Sequence, residues 1–219
     1  MCIRDRILGV QYHPELESTS ELFKWLIDIC YEKTMFLVNK QNPVPDNYSP
    51  NILVYQSEYP ECHNDGNIRE EAMYSWLCLR DDMRSHGFYI DVESAYRPNA
   101  LQRKIYEENK EKYGAEHASI FVARPGYSEH ETGLAIDICM KKDEKWINEF
   151  DEGLDDCYSL LHKICADYGF ILRYPEGKEK ITGYHYEPWH LRYIGSPRIS
   201  KDIMTKKLTL EEYYKEKNK

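Results

Sequence analysis

The sequence contains no apolar run approaching the ~18 residues of a membrane-spanning helix. It also lacks a basic leader followed by an apolar segment and a small-residue cleavage site. As written, the chain is therefore expected in the cytoplasm with no membrane segment; a different native N-terminus would reopen the question of compartment. No cluster of basic side chains is present either, since 29 Lys and Arg are outnumbered by 38 Asp and Glu, for a net charge of -9. Nucleic acid is excluded as a partner class, because holding phosphates takes clustered cations. Nor does any Cys-x-x-Cys pair occur among the seven cysteines, several of which sit inside apolar runs. An odd count without paired spacing argues for buried, reduced thiols over a disulfide framework.

What is present suffices for a core. The chain has 219 residues, 42% of them hydrophobic, enough for one domain with appendages. Its 19 tyrosines favour amphipathic surface and groove positions, which suits a polar peptide or glycan-peptide ligand.

Chemistry concentrates in Ser128-Glu129-His130-Glu131-Thr132-Gly133-Leu134-Ala135-Ile136-Asp137 and, later in the chain, in Tyr186-Glu187-Pro188-Trp189-His190. Two imidazoles and two carboxylates suit one zinc ion and one base. His130, Asp137 and His190 are all proper zinc donors, and three protein ligands with an open fourth position define a catalytic site. Glu187 precedes His190 by three residues, close enough to reach a water at the metal without binding the metal itself. That division matches metal-assisted hydrolysis. Leu134-Ala135-Ile136-Asp137-Ile138 alternates as a strand, with Leu134, Ile136 and Ile138 toward a core and Ala135 and Asp137 on the opposite face. A turn permitted by Gly133 can swing His130 over that same face. Taken singly, a His with a nearby Asp is an ordinary surface or capping pair, and a Glu-x-x-His arises by chance in a chain with eight His. The whole pattern is what carries the reading.

Ser-x-His-x-x-Gly-x-Ala-x-Asp followed by Glu-x-Trp-His resembles the signature of the zinc D,D-carboxypeptidases of the VanY/VanX type, which share a fold with the Hedgehog signalling domain. Other stretches are similar too: Phe36–Lys40 with Pro45–Tyr48, Ser94-Ala95-Tyr96-Arg97-Pro98, and Tyr168–Pro175. The resemblance runs from about Met35 to the C-terminus. It implies an α+β fold, with a small antiparallel sheet carrying the zinc site between flanking helices. It also implies that Arg97 stabilises the developing oxyanion, where the bare sequence allows an ordinary Arg at a strand end. Ser128 becomes a donor to the substrate carboxylate instead of a plain turn residue. Gln102 becomes either a second such donor or, with Asn99, part of a helix capping box. Tyr96 and Trp189 join the substrate-facing set, Trp189 as a wall beneath the metal. His185 is the spare imidazole.

Ahead of this domain, Ile7-Leu8-Gly9-Val10-Gln11-Tyr12-His13-Pro14-Glu15 resembles the last strand of class I glutamine amidotransferases and gamma-glutamyl hydrolases. Ser20–Cys30 resembles the helix that closes that domain. The expected division is therefore 1–34, a remnant of an upstream amidotransferase-like domain, and 35–219, the carboxypeptidase-like domain. The remnant is expected to be inert, since nothing upstream supplies a nucleophile elbow or an oxyanion hole for His13 and Glu15.

Along the second domain, Pro-rich residues 35–65 read as an extended wrap with a short strand at 51–55. Helices are predicted over 67–85, from Asn99 to near Gly114, over 154–168, over 200–206 and from Thr209 onward. Residues 115–127 read as a loop or short helix and 141–153 as a lid or surface excursion. Strands are predicted at 88–94 and 134–138, with a hairpin of 170–174 and 185–193 carrying Glu187, Trp189 and His190. The expected activity is zinc-dependent removal of C-terminal D-alanine from peptidoglycan stem peptides or precursors. The alternatives are an L,D-carboxypeptidase or D-Ala-D-Ala dipeptidase of the same fold, a non-catalytic zinc-binding module, and an amide hydrolase built on His13 and Glu15.

Overall fold

The structure, a computed structural model, describes residues 34–50, 53–59, 64, 66–148 and 154–217. The amidotransferase-like reading of residues 1–34 lies outside these, apart from Thr34, as do residues 149–153 of the expected excursion. Strand β1 (Leu53–Tyr55) pairs antiparallel with β2 (Asn67–Arg69), and helix α1 (Glu70–Ser85) follows directly. The predicted helix therefore begins three residues late. Ile68 is fully buried as expected, but from a strand. Glu70 and Glu71 then sit in the first turn of α1, where carboxylates complement the positive end of the helix dipole. Ala72, Trp76, Leu79 and Met83 form one fully buried stripe on α1, and Gly87 ends it with φ +88°.

Strand β3 (Tyr89–Ser94) leads to α2 (Asn99–Tyr113) and α3 (Ala115–Phe121). A 3-10 turn at Glu129–Thr132 introduces β4 (Ala135–Lys142), and β5 (Lys145–Ile147) folds back on its end. Asp143 and Glu144 both have positive φ, as a two-residue hairpin turn of this kind requires. The described part of the expected excursion is thus a tight hairpin. Next come α4 (Asp155–Ile164), a 3-10 turn at Cys165–Tyr168, β6 (Phe170–Leu172), the single-turn α5 (Glu179–Thr182) and β7 (His190–Tyr193). Helices α6 (Pro197–Lys206) and α7 (Leu210–Lys217) are the last of the described elements. The capping box expected at Thr209 forms, with Thr209 N–H donating to Glu212 Oε2 (2.8 Å) and Glu212 N–H to Thr209 Oγ1 (3.2 Å).

The main sheet runs β3-β4-β7-β6, all antiparallel, with β5 on the far end of β4. Leu134, Ile136 and Ile138 are fully buried and pack with Trp76, Leu79, Ile90, Phe170 and Leu191 in the main core between sheet and helices. A smaller cluster, built on Ile171, Ile194, Ile199 and Ile203, seats α6 and α7. The expected hairpin is shorter than predicted. Only His190–Tyr193 is strand, because Pro188 has no N–H to give a ladder, and Glu187 N–H is turned to Tyr174 O (3.1 Å). All four described cysteines are free, and burial pushes the thiols of Cys157 and Cys165 up to about 12.

A cluster of buried charges ties residues 34–38 and α7 to the sheet. Glu129, Arg173 and Arg192 are almost wholly buried, and Arg173 donates to Glu211 on α7 at 2.7 and 3.0 Å. Burial alone would raise the Glu211 pKa, but Arg173 beside it holds it below the ordinary value. A carboxylate whose folded pKa is depressed contributes stability above its unfolded pKa and loses that contribution as pH falls through the folded value. Glu211→Gln is therefore expected to cost about 2 kcal/mol near neutral pH. The deficit should shrink below about pH 4, as read from urea unfolding midpoints of both proteins across that range.

Candidate active site

Two strands and one turn bring the predicted residues together. Asp137 on β4 lies directly opposite His190 on β7 in the antiparallel register, so both side chains leave the same face of the sheet. His130 comes from the 3-10 turn before β4. Gly133 closes that turn in the left-handed region (φ +70°), and a Cβ there would come within 3.1 Å of Arg69 and Leu53 side-chain atoms. Only glycine fits both constraints. The two imidazoles meet edge to face, with ring centroids 4.9 Å apart.

Each ring nitrogen has a definite role. His130 Nδ1 is 2.8 Å from Ala95 O, a pure acceptor, so Nδ1 carries the hydrogen. Nε2 then turns its lone pair toward Asp137 Oδ2, 3.1 Å away. His190 Nδ1 lies 2.9 Å from Asp137 Oδ1 and 3.5 Å from Glu187 Oε2. One donor atom from each of His130, Asp137 and His190 falls within 4.8 Å of the other two. Asp137 Oδ1 is buried and accepts no hydrogen bond among the described residues despite its close neighbour. Two converging imidazoles around a carboxylate oxygen of that kind fit a divalent cation with nitrogen and oxygen ligands.

The electrostatics agree. Burial lowers the His130 pKa, and Arg97 lowers it further, to about 4, so its ring stays neutral as a metal ligand must. For His190, burial acts in the same direction but is overcome by Asp137 and by Glu129 and Glu187, which raise it to about 9. Burial would push Asp137 up, yet the flanking imidazoles hold its carboxyl well below the usual range. Carboxylates thus draw positive charge to the point where the donors converge.

Arg97 lines the cavity beside them. Its Nη2 donates to Asp137 Oδ2 (3.1 Å), Nε to Ser94 Oγ (3.2 Å) and Nη1 to Gln102 Oε1 (3.2 Å). A register shift between Val92 and Ser94 on β3 ends the regular ladder just before this segment. The capping box expected at Asn99 and Gln102 does not form. Gln102 is fully buried, does not line the cavity, and spends its amide on Arg97 and on Ala123 O (2.7 Å). It therefore does not form the expected cap, and it reaches the cavity only through Arg97. Pro98 is the N-cap of α2, and the Asn99 amide donates to Glu131 instead. Tyr96 is not among the residues that line the cavity, and its backbone N–H donates to Asn67 O (2.9 Å). Ser128, Trp189 and Glu187 do line it.

The cavity, about 520 Å³, extends past these groups along an aromatic wall that the motif reading missed. Tyr113, His117 and Phe121 form successive ring contacts, and Phe121 stacks on His185 at 4.8 Å between centroids. Their spacing of four residues was visible in the sequence. Which way the stripe faced was not. His185 is thus a wall residue, apart from the metal-ligand cluster. Tyr174 and Tyr184 floor the cavity, with Tyr174 against the His190 ring at 4.8 Å. Glu129 was also passed over. Its signal was the pair of arginines at 173 and 192, in apolar strands that would need a buried carboxylate.

Known proteins share this fold and much of this sequence. The profile of the VanY family, described as D-alanyl-D-alanine carboxypeptidase, matches residues 65–196. The bifunctional D-Ala-D-Ala dipeptidase and D-Ala-D-Ala carboxypeptidase VanXYC of Enterococcus gallinarum is 39% identical over 191 residues, covering 83% of this chain and 93% of that protein. A vancomycin-resistance D,D-pentapeptidase VanY, solved with Zn(II), superposes with a TM-score of 0.71 at 32% identity, over 83% of this chain and 99% of that one. LdcB, an LD-carboxypeptidase solved to explain peptidoglycan recognition, superposes at 0.69 with 38% identity, over 82% and 84% of the two chains. Profile, sequence and fold agree along the same stretch that carries the His130, Asp137 and His190 cluster, and on that ground the chain belongs to the VanY D-alanyl-D-alanine carboxypeptidase family.

Proposed function

We propose that this chain is a zinc-dependent carboxypeptidase that removes the C-terminal D-alanine from peptidoglycan stem peptides or their precursors. The observation that carries this reading is the convergence of His130, Asp137 and His190 on one point, with Glu187 and Arg97 at the same cavity wall. His130, Asp137 and His190 would hold the zinc. When bound, it supplies Lewis acidity toward a water and toward the scissile carbonyl. Glu187 takes the proton from the attacking water and returns it to the leaving amine of D-alanine, acting first as base and then as acid. Its backbone is held on both sides, N–H to Tyr174 O (3.1 Å) and C=O accepting from His190 N–H (3.2 Å), so the carboxylate is delivered from a fixed turn. Arg97 places a guanidinium beside the carbonyl oxygen as charge develops there. Gln102, buried behind it, fixes that guanidinium. Ser128 grips the terminal carboxylate of the substrate, and Trp189 walls the site.

A second reading, L,D-carboxypeptidase, is favoured by the 38% identity to LdcB. Incubating the zinc-loaded protein with free D-Ala-D-Ala, a tetrapeptide ending in a single D-alanine and a pentapeptide ending in two separates these activities by product mass. Release of D-alanine from the pentapeptide is expected. Release from the tetrapeptide alone would favour the second reading, and no cleavage of any of the three would sink both.

Glu187→Ala is expected to retain stoichiometric zinc and to lose about 10²- to 10⁴-fold in kcat. Near-wild-type turnover by that variant would refute Glu187 as the base. Arg97→Ala should lower kcat by about 10²- to 10³-fold with a lesser effect on KM. Gln102→Ala should show a weaker loss in the same parameter, because it acts through Arg97. An effect of Gln102→Ala confined to KM would instead restore it as a substrate contact. Chelation should abolish activity in every form, and added zinc should restore it only where Glu187 is intact.

A further inference from the structure

The two ring nitrogens of His190 face different surroundings. Nδ1 faces Asp137 and Glu187, the side on which the three donor atoms converge. Nε2 faces the opposite side, 3.7 Å from Glu129 Oε2. Both atoms are buried, and neither has a hydrogen-bond partner among the described residues. Buried polar atoms left unserved cost free energy, and these two stand a few tenths of an ångström beyond hydrogen-bond distance. The other carboxylate oxygen of Glu129 is already taken twice, by Arg173 Nε (2.8 Å) and Arg192 Nη1 (2.9 Å).

We propose that Glu129 is the positioning residue of His190, accepting its Nε2–H and so holding Nδ1 toward the metal. This rests on His190 being a zinc ligand. An imidazole that donates its second nitrogen to a carboxylate is fixed in tautomer and orientation and is the stronger metal donor. Glu129 suits the task because it cannot move. Arg173 is itself held by Glu211 and by Val38 O (3.3 Å), and Arg192 by Thr34 O (2.9 Å) and Phe36 O (3.1 Å). One metal ligand is thereby braced against the C-terminal helix and against residues 34–38, none of which lines the cavity. A plainer role for Glu129, as counter-ion to two buried arginines, predicts a different result.

The test is the zinc affinity of Glu129→Gln against the unaltered protein, by competition with a chromogenic chelator, with unfolding of the metal-free forms measured alongside. A loss of about 10- to 100-fold in affinity is expected. A variant that is less stable when metal-free but binds zinc within about twofold of the parent would overturn the proposal and leave the counter-ion role. Should the variant not fold, nitrogen-15 NMR of the imidazoles in the unaltered zinc-loaded protein decides the matter. His190 bound through Nδ1 with a slowly exchanging Nε2–H supports the proposal, whereas binding through Nε2, or an Nε2–H exchanging at the solvent rate, overturns it. An unaltered protein that takes up no zinc would sink the zinc reading and this inference with it. Tight zinc uptake with no cleavage of D-alanine peptides would count against the proposed activity alone, the affinity comparison still deciding the role of Glu129.

Discussion

The pairing of Asp137 with His190 across β4 and β7 is the constraint on which the site depends. In an antiparallel ladder a slip of one residue turns every side chain to the other face. Such a slip would send Asp137 into the core and Ile136 into the cavity, so the hydrophobic demand of Leu134, Ile136 and Ile138 and the chemical demand of Asp137 enforce the same register. Core packing and the donor cluster are thus stabilised by one set of backbone hydrogen bonds. His130 adds the third donor from a turn whose closure needs glycine at 133, and Arg97 approaches where β3 leaves its regular ladder.

Gathering these groups carries an electrostatic cost. Ionised carboxylates and guanidiniums are strongly destabilised by burial unless each finds a partner. Here Glu129 sits between Arg173 and Arg192, and Arg173 reaches on to Glu211. The cluster is close to neutral within itself, with two carboxylates against two guanidiniums, and the carboxylates of Asp137 and Glu187 stand apart from it, around Nδ1 of His190. Segregation of this kind lets a site attract a cation while the buried charges beneath it balance one another. It also explains why the segment at 34–39 and the terminal helix are packed so firmly against the sheet, although neither touches the cavity.

Much of the local structure was legible in the sequence because it follows from short-range rules. Alternation located β4, the apolar stripe located α1 from Glu70 onward, and Thr209 with Glu212 formed their cap. The errors arose where long-range partners prevailed. Residues 67–69 pair with β1 instead of extending the helix, Glu187 N–H turns to Tyr174 O so that the strand starts only at His190, and Asn99 turns to Glu131 instead of capping α2. In each case a tertiary hydrogen bond outweighed a preference worth less than about 1 kcal/mol.

The sequence by itself determined which residue types were available for metal and proton chemistry, and their spacing placed His130 and Asp137 on a turn and a strand and Glu187 and His190 on a later hairpin. Geometry beyond the chain neighbourhood was the province of the tertiary structure. It buried Gln102 behind Arg97, turned the Tyr113, His117 and Phe121 stripe into the cavity wall, and set Glu129 behind His190. Side-chain direction at those positions depends on which distant backbone carbonyl or charged group arrives to satisfy them, and no local propensity encodes that arrival.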